Sequence, residues 1–131
     1  MRYLLDTNIC SDIVNDKPRH VLERLQLDDP DSIGLSSVSA AELACNIAKS
    51  GSTKNQRALE MFLSALKILP FYEHVTWEYG RIRYELERTG QPIGGLSTMI
   101  AAHAISLNAT LVTNSTREFA RIRGLRLENW S

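Results

Sequence analysis

Tyr3-Leu4-Leu5-Asp6-Thr7-Asn8 is the stretch of sequence that decides the fold. Its three apolar residues end at a carboxylate, which is typical of a short buried strand. Asp6, Thr7 and Asn8 then supply helix-capping side chains, and apolar residues recur at helical spacing from Ile9 to Val14. The stretch therefore predicts a buried strand that passes directly into a helix.

The same alternation continues along the chain. Short apolar runs predict further strands at 33–36 and 110–113, with a brief strand or edge at 68–70. Between them, apolar periodicity and Gly or Pro terminators predict helices near 18–25, 37–49, 55–66, 73–88 and 99–107. This order indicates an α/β fold with a small, mostly parallel sheet flanked by helices. No linker, repeat or low-complexity segment interrupts it, so residues 1–131 are expected to form one domain.

Composition excludes several classes of protein. The chain has 131 residues, of which 44% are hydrophobic, enough for a core without disulfides or a structural metal. It has two cysteines, no apolar run near the ~20 residues of a membrane span and no secretory signal. We therefore expect a cytoplasmic protein with no membrane partner.

Charge is balanced overall but uneven locally. Fifteen basic residues match fifteen acidic ones, so bulk attraction to nucleic acid is not expected. Between 117 and 126, however, four arginines accompany Glu118 alone. This segment is either a local basic patch for a polyanion or an ordinary solvated surface.

Polar residues follow three of the predicted strands. In parallel sheets the ligand crevice lies beyond the carboxyl ends of the strands, where Asp6, Ser37 and Thr113-Asn114-Ser115 fall. Asp6 is the sharpest candidate for chemistry there, although the capping of the first helix explains it equally well locally.

Periodicity predicts a different place for Glu42, on the solvated side of its helix. That arc also holds Ser39, Asn46 and Lys49, whereas the arc expected to face the core holds Val38, Ala41, Ala44, Ile47 and Ala48. His103 lies among alanines of a predicted buried helix, which favours a hydrogen-bonded packing role. The apolar residues Ile47, Leu59, Phe62, Leu63 and Leu66 are expected to pack in the core, with a subunit interface as the alternative.

Several segments together resemble the PIN-domain family, and within it the VapC-type toxins. The resemblance begins at Tyr3–Asn8 and continues through Ser36-Ser37-Val38-Ser39-Ala40-Ala41-Glu42-Leu43. It extends through the segment from Gly90-Gln91-Pro92-Ile93-Gly94 to His103-Ala104, through Thr113-Asn114-Ser115-Thr116-Arg117-Glu118-Phe119, and to the closing Glu128-Asn129-Trp130. These segments occur in the family's order and span nearly the whole chain.

The resemblance implies a metal-dependent endoribonuclease in which acidic side chains hold Mg²⁺ or Mn²⁺. Asp6 matches the first acid of the family and Glu42 the second, which overturns the solvated-face interpretation of Glu42. Mg²⁺ prefers oxygen ligands, and a bound metal activates water and stabilises charge on a phosphate. At the third acidic position the chain departs from the family, because Ser97 stands where Asp is expected. Since a neutral hydroxyl is a weaker ligand, the resemblance implies an impaired catalyst, either an inactive variant or a degenerate copy.

The remaining candidates surround these positions. Glu118 either joins the acidic cluster or pairs on the surface with Arg117 or Arg121. The residues expected to orient the acids or the substrate are Thr7, Asn8, Asn114 and Ser115, and those considered for RNA phosphates are Arg117, Arg121 and Arg123.

The resemblance also implies a substrate and partners. The substrate is expected to be tRNA, specifically the anticodon region of initiator tRNA, and the partner a VapB-type antitoxin. A homodimer is expected, with a larger assembly that reaches operator DNA through the antitoxin. The alternative is a non-catalytic PIN module that retains only antitoxin binding.

Overall fold

A computed structural model describes residues 1–14 and 19–130 of the chain. Its centre is a five-stranded sheet in the order β3-β2-β1-β4-β5, with all four pairings parallel. The strands are β1 (Tyr3–Leu5), β2 (Ile33–Ser36), β3 (Lys67–Leu69), β4 (Thr110–Val112) and β5 (Leu127–Glu128). The sequence-based expectation of a small parallel sheet is therefore confirmed.

β1 is the central strand of the sheet, and all three of its side chains are buried. Successive side chains of a strand point to opposite faces. Tyr3 and Leu5 accordingly pack into one core and Leu4 into the other. This double burial explains the unbroken apolar run that precedes Asp6.

Helices cover both faces of the sheet. Leu59, on the fourth helix, belongs to the core that contains Tyr3, whereas Ile82 and Leu86, on the fifth, belong to the core that contains Leu4. The helices are α1 (Thr7–Val14), α2 (Arg19–Leu27), α3 (Ser37–Ser50), α4 (Thr53–Ser64), α5 (Val75–Arg88), α6 (Gly95–Ser106) and α7 (Thr116–Phe119). Within the part of the chain that the structure describes, no helix is long and apolar enough to cross a membrane.

Local signals account for both ends of α3 and for the start of α4. The side chain of Ser36 caps α3 by accepting the N–H of Val38, and Ser52 caps α4 by accepting that of Asn55. Gly51 ends α3 in the left-handed conformation, with φ of 63°. Pro18, expected in the first turn of the second helix, lies outside the described residues.

The sequence missed two elements. β5 has only two residues, too few for any periodicity, and a single turn of 3-10 helix (Pro30–Ser32) lies in the expected loop before β2. His103 does have the predicted packing role, because its Nδ1 lies 2.8 Å from the hydroxyl of Ser36. Leu59 belongs to the core, and the other apolar residues considered for an interface pack against it.

Candidate active site

Asp6 lies at the carboxyl end of the central strand and is only 4% exposed. Its backbone N–H extends the ladder by donating to the carbonyl of Val112 at 2.8 Å. One carboxylate oxygen, Oδ1, accepts the N–H of Thr7, and the other, Oδ2, accepts the hydroxyl of Thr113, both at 2.8 Å. Asp6 therefore directly precedes α1 and lies where β1 and β4 end, but its carboxylate accepts the N–H of the first helical residue, whereas a capping side chain accepts that of the second or third.

The environment of Asp6 raises the pKa of its carboxyl above the usual value. Burial is the main cause, because it disfavours the charged form. The hydrogen bonds from Thr113 and Thr7 act in the opposite direction, and the negative charges of Glu42 and Glu118 raise the pKa further. These couplings indicate that Glu42 and Glu118 lie on the same side of the molecule as Asp6.

Glu42 is connected to Asp6 through one residue. The hydroxyl of Thr7 donates to Oε1 of Glu42 at 2.8 Å, while the backbone N–H of Thr7 donates to Asp6. α3 thus faces α1 at this point, and Glu42 is only partly exposed. The solvated-face interpretation of Glu42 is wrong, because the periodicity of one helix carries no information about a second helix packed against its polar side.

The helical wheel of α3 was misleading elsewhere as well. Ser39, placed on the solvated arc, is fully buried, and its hydroxyl has no hydrogen-bond partner among the described residues. Ala41, Ala44 and Ala48, placed on the core-facing arc, are exposed. The buried face of α3 therefore contains Ser39 and Leu43 and is rotated relative to the face that the helical wheel predicts.

Thr113 was missed as a direct partner of Asp6, although it follows a buried strand just as Asp6 does. Its hydroxyl oxygen also accepts the backbone N–H of Ser115 at 2.9 Å. Ser115 in turn accepts the side-chain amide of Asn8 at 3.3 Å. These bonds connect Asn8 and Ser115 to Thr113, and through Thr113 to Asp6. Asn114 instead donates to Asp12 at 3.0 Å.

Glu118 is the acid of α7. Among the described residues it forms no ion pair with Arg117 or Arg121, and Arg121 bonds through its backbone N–H to the carbonyl of Glu118. Its charge contributes to the raised pKa of Asp6. The charge of Glu118 thus acts on Asp6, and its membership of an acidic cluster stays a prediction.

Ser97 lies in the first turn of α6 and is partly exposed. In the described structure its hydroxyl makes no hydrogen bond, and it lies 4.0 Å from the position that a Cβ on Gly94 would take. The helix begins without a side-chain cap. The described structure therefore assigns no hydrogen-bonding role to the hydroxyl of Ser97.

The donor set fits a metal centre only in part. Asp6 and Glu42 offer the hard oxygen ligands that Mg²⁺ prefers, and hydrogen bonds from Thr7 and Thr113 orient them. Yet among residues 1–14 and 19–130, no three His, Cys, Asp or Glu side chains lie close enough to hold a metal ion. The described residues therefore do not form the three-carboxylate centre that the resemblance implies, and the metal-ligand role of position 97 stays a prediction.

Comparison with known proteins identifies the family. The family profile described as "PIN domain" matches residues 3–125. Ribonuclease VapC2 of Rickettsia felis is 46% identical over 132 aligned residues, which cover 99% of this chain and 98% of that protein. The tRNA(fMet)-specific endonuclease VapC of Shigella flexneri is 40% identical over 132 residues, covering 100% and 99% of the two chains.

Solved structures of similar proteins agree with this family match. A chain in the crystal structure of VapBC2 from Rickettsia felis, bound to a DNA fragment from their promoter, matches with a TM-score of 0.91 and 42% identity, over 100% of both chains. A chain in the DNA-bound VapBC structure from Salmonella typhimurium matches with a TM-score of 0.90 and 38% identity, over 100% of this chain and 99% of that one. The chain belongs to the PIN-domain family. Within that family it is a protein of the VapC ribonuclease type along its whole length.

Proposed function

We propose that this chain is the toxin of a VapBC-type toxin–antitoxin pair, built as a Mg²⁺- or Mn²⁺-dependent endoribonuclease and impaired by Ser97. The observation that carries the proposal is the link from Asp6 through Thr7 to Glu42. This link joins two carboxylates, 36 positions apart in the chain, at the carboxyl edge of a parallel sheet. An acidic pair held at this edge is suited to hydrolysis of a phosphodiester rather than to packing.

The chain's own residues have separate roles in this proposal. Thr7 and Thr113 hold the two acids in place, and Glu118 adds negative charge. A metal bound there would activate water and offset charge on the scissile phosphate. In this proposal, position 97 decides whether the metal ion binds, because an Asp at the start of α6 would add the missing carboxylate.

The substrate we propose is tRNA, and specifically the anticodon region of initiator tRNA. The support is the relative from Shigella flexneri, which is named as a tRNA(fMet)-specific endonuclease and aligns with this chain from end to end. The partner we propose is a VapB-type antitoxin, which would bring the complex to operator DNA as in the DNA-bound VapBC complexes.

The decisive experiment compares the chain with its Ser97→Asp and Ser97→Asn variants on a bulk tRNA pool, with and without Mg²⁺. Asn is the matched control, because it has the size of Asp without the charge. We expect cleavage only by the Asp form and only with Mg²⁺, and we expect Asp6→Ala to abolish it. Equal cleavage by the Asp and Asn forms would show that a negative charge at position 97 is not required, which contradicts the proposed role of the missing carboxylate.

A second candidate function is supported by the incomplete metal centre. A chain without a three-carboxylate group would act as a non-catalytic module that only sequesters the antitoxin. In that case neither variant cuts RNA while all forms bind a VapB-type antitoxin.

We also propose a homodimer. Light scattering on the purified chain is expected to give twice the 14.7 kDa of the monomer. A monomer at all concentrations would contradict it.

A further inference from the structure

The walls of one concave surface come from two distant parts of the chain. Arg81 and Arg88 of α5 form one wall, and Arg121 and Arg123, just after α7, form the other. The cleft encloses about 390 Å³, and the buried residues Ile82, Leu86 and Ile122 form part of its lining. We call it the arginine cleft.

The charge in the arginine cleft is strongly one-sided. Of the described residues that line it, four are arginines and only Glu85 is acidic. Arg88 pairs with Glu85 at 2.8 Å and Arg81 with Glu78 at 2.9 Å, but both pairs are solvent-exposed. Exposed pairs contribute little to stability, so their arginines are free to turn to another anion at small cost.

The positive charge of the other wall, formed by Arg121 and Arg123, is less neutralised by acidic side chains. In the described part of the chain, Arg121 and Arg123 form no ion pair, and Arg121 is held only by donating to the carbonyl of Pro92 at 3.3 Å. Four guanidinium groups around one carboxylate repel one another, which favours binding of an anion with several charges. A guanidinium matches two oxygens of a phosphate, which makes arginine well suited to bind it.

The wall formed by Arg121 and Arg123 is connected to elements that carry candidate-site residues. The contact with Pro92 ties Arg121 to the loop that leads into α6 and Ser97. The segment holding Arg121 and Arg123 follows α7, which carries Glu118. An RNA strand lying across the acidic residues would therefore reach the cleft with its neighbouring nucleotides.

We propose that the arginine cleft binds backbone phosphates of the RNA that reaches the acidic site, an inference that rests on the proposed function. A chain with no net charge lacks bulk attraction to RNA and needs such a local cationic surface. The cleft offers no feature that reads a base, so it contributes affinity and orientation without sequence specificity. Arg117 does not line the cleft, and Arg81 and Arg88 join it only through the tertiary fold.

The test measures binding of fluorescein-labelled oligouridine to the Ser97 chain by anisotropy at several salt concentrations. The cleft variant Arg88→Gln/Arg123→Gln removes one charge from each wall. The matched control Lys54→Gln/Arg57→Gln removes two exposed charges from α4, which packs on the other face of the sheet. Arg123→Gln alone serves as a second variant, because it breaks no hydrogen bond within the described residues.

We expect the cleft variant to bind at least about tenfold more weakly than the parent chain. The slope of log affinity against log salt should fall by about 1.4, since each lost phosphate contact removes about 0.7 for a single strand. The control is expected to stay within about twofold of the parent, and Arg123→Gln to show about half of the change in slope.

Three results would overturn the proposal. The first is equal binding of oligouridine by the cleft variant and the control, and the second is no binding of oligouridine by the parent chain. The third is unchanged RNA binding together with a loss of affinity for a VapB-type antitoxin, which would assign the cleft to a protein partner. None of the three depends on the tRNA cleavage assay with Ser97→Asp, so the cleft can fail while the proposed function stands.

Discussion

Replacing Thr113 by Val tests the organisation of the candidate site most directly. Thr113 is fully buried, and its hydroxyl donates to Asp6 and accepts from the N–H of Ser115. Val keeps the shape of the side chain and removes both bonds. The variant leaves one carboxylate oxygen and one backbone N–H without these partners.

The cost of this substitution can be estimated from the two bonds. A hydrogen bond to a charged group contributes about 1.5–3 kcal/mol and a neutral one about 1 kcal/mol. We therefore expect Thr113→Val to lower the free energy of unfolding by about 3 kcal/mol near neutral pH. For a domain of this size that corresponds to a fall in Tm of about 10 °C.

The effect must depend on pH, because the hydroxyl of Thr113 favours the charged form of Asp6 and lowers its pKa. The difference between parent and variant should fall toward the roughly 1 kcal/mol of the neutral bond from Ser115 where Asp6 is protonated, and grow as pH rises through the titration of Asp6. Urea unfolding from about pH 4 to 8 measures this. Thr98→Val is the control: Thr98 is equally buried, but its hydroxyl donates only to the carbonyl of Gly94, so its cost should be about 1 kcal/mol at every pH. A flat pH profile for Thr113→Val, or a cost no larger than that of the control, would refute the reasoning.

Three further predictions concern substitutions at Asp6, Trp130 and Gly80. Burial raises the pKa of Asp6 in the folded protein, so the contribution of Asp6 to stability is greatest below the pKa of the unfolded chain and is lost as pH rises through the folded-state pKa. The Asp6→Asn variant should therefore gain stability relative to the parent as pH rises. A difference in urea unfolding that stays constant with pH would contradict this prediction. Trp130→Ala should cost about 3–4 kcal/mol, because the indole is buried against the ring of Tyr3 at 5.1 Å, whereas Trp77→Ala, at an 82% exposed position, should change Tm little. Gly80→Ala, inside α5 with open space around the added methyl, should raise the free energy of unfolding by about 0.5–1 kcal/mol, and a fall would show strain that the structure does not.

The sequence by itself determined the strands and helices that rest on local signals. The apolar run of β1 and the capping residues after it fixed a strand–helix step. Gly51 and Gly90 marked the ends of α3 and α5. Parallel pairing follows from this alternation, because a strand followed by a helix returns to the sheet in the same direction. The carboxyl edge, and with it the position of Asp6, was therefore predictable.

Only the tertiary structure decided which side chains meet at that edge. Glu42 is linked to Asp6 through Thr7 because α3 packs on α1, and Ser39 is buried once the chain has folded. A helical wheel describes one helix alone and carries no information about its neighbours, so it placed both residues in solvent.

The arginine cleft shows the same division. Its Arg121 and Arg123 wall was visible as a cluster in the sequence, whereas Arg81 and Arg88 lie more than 30 positions earlier. Burial of Ile82 and Leu86 against Ile122 in a shared core brings the two walls together. Long-range packing thus sets the charge of the cleft and the pKa of Asp6, since both depend on distances and desolvation that exist only once the chain has folded.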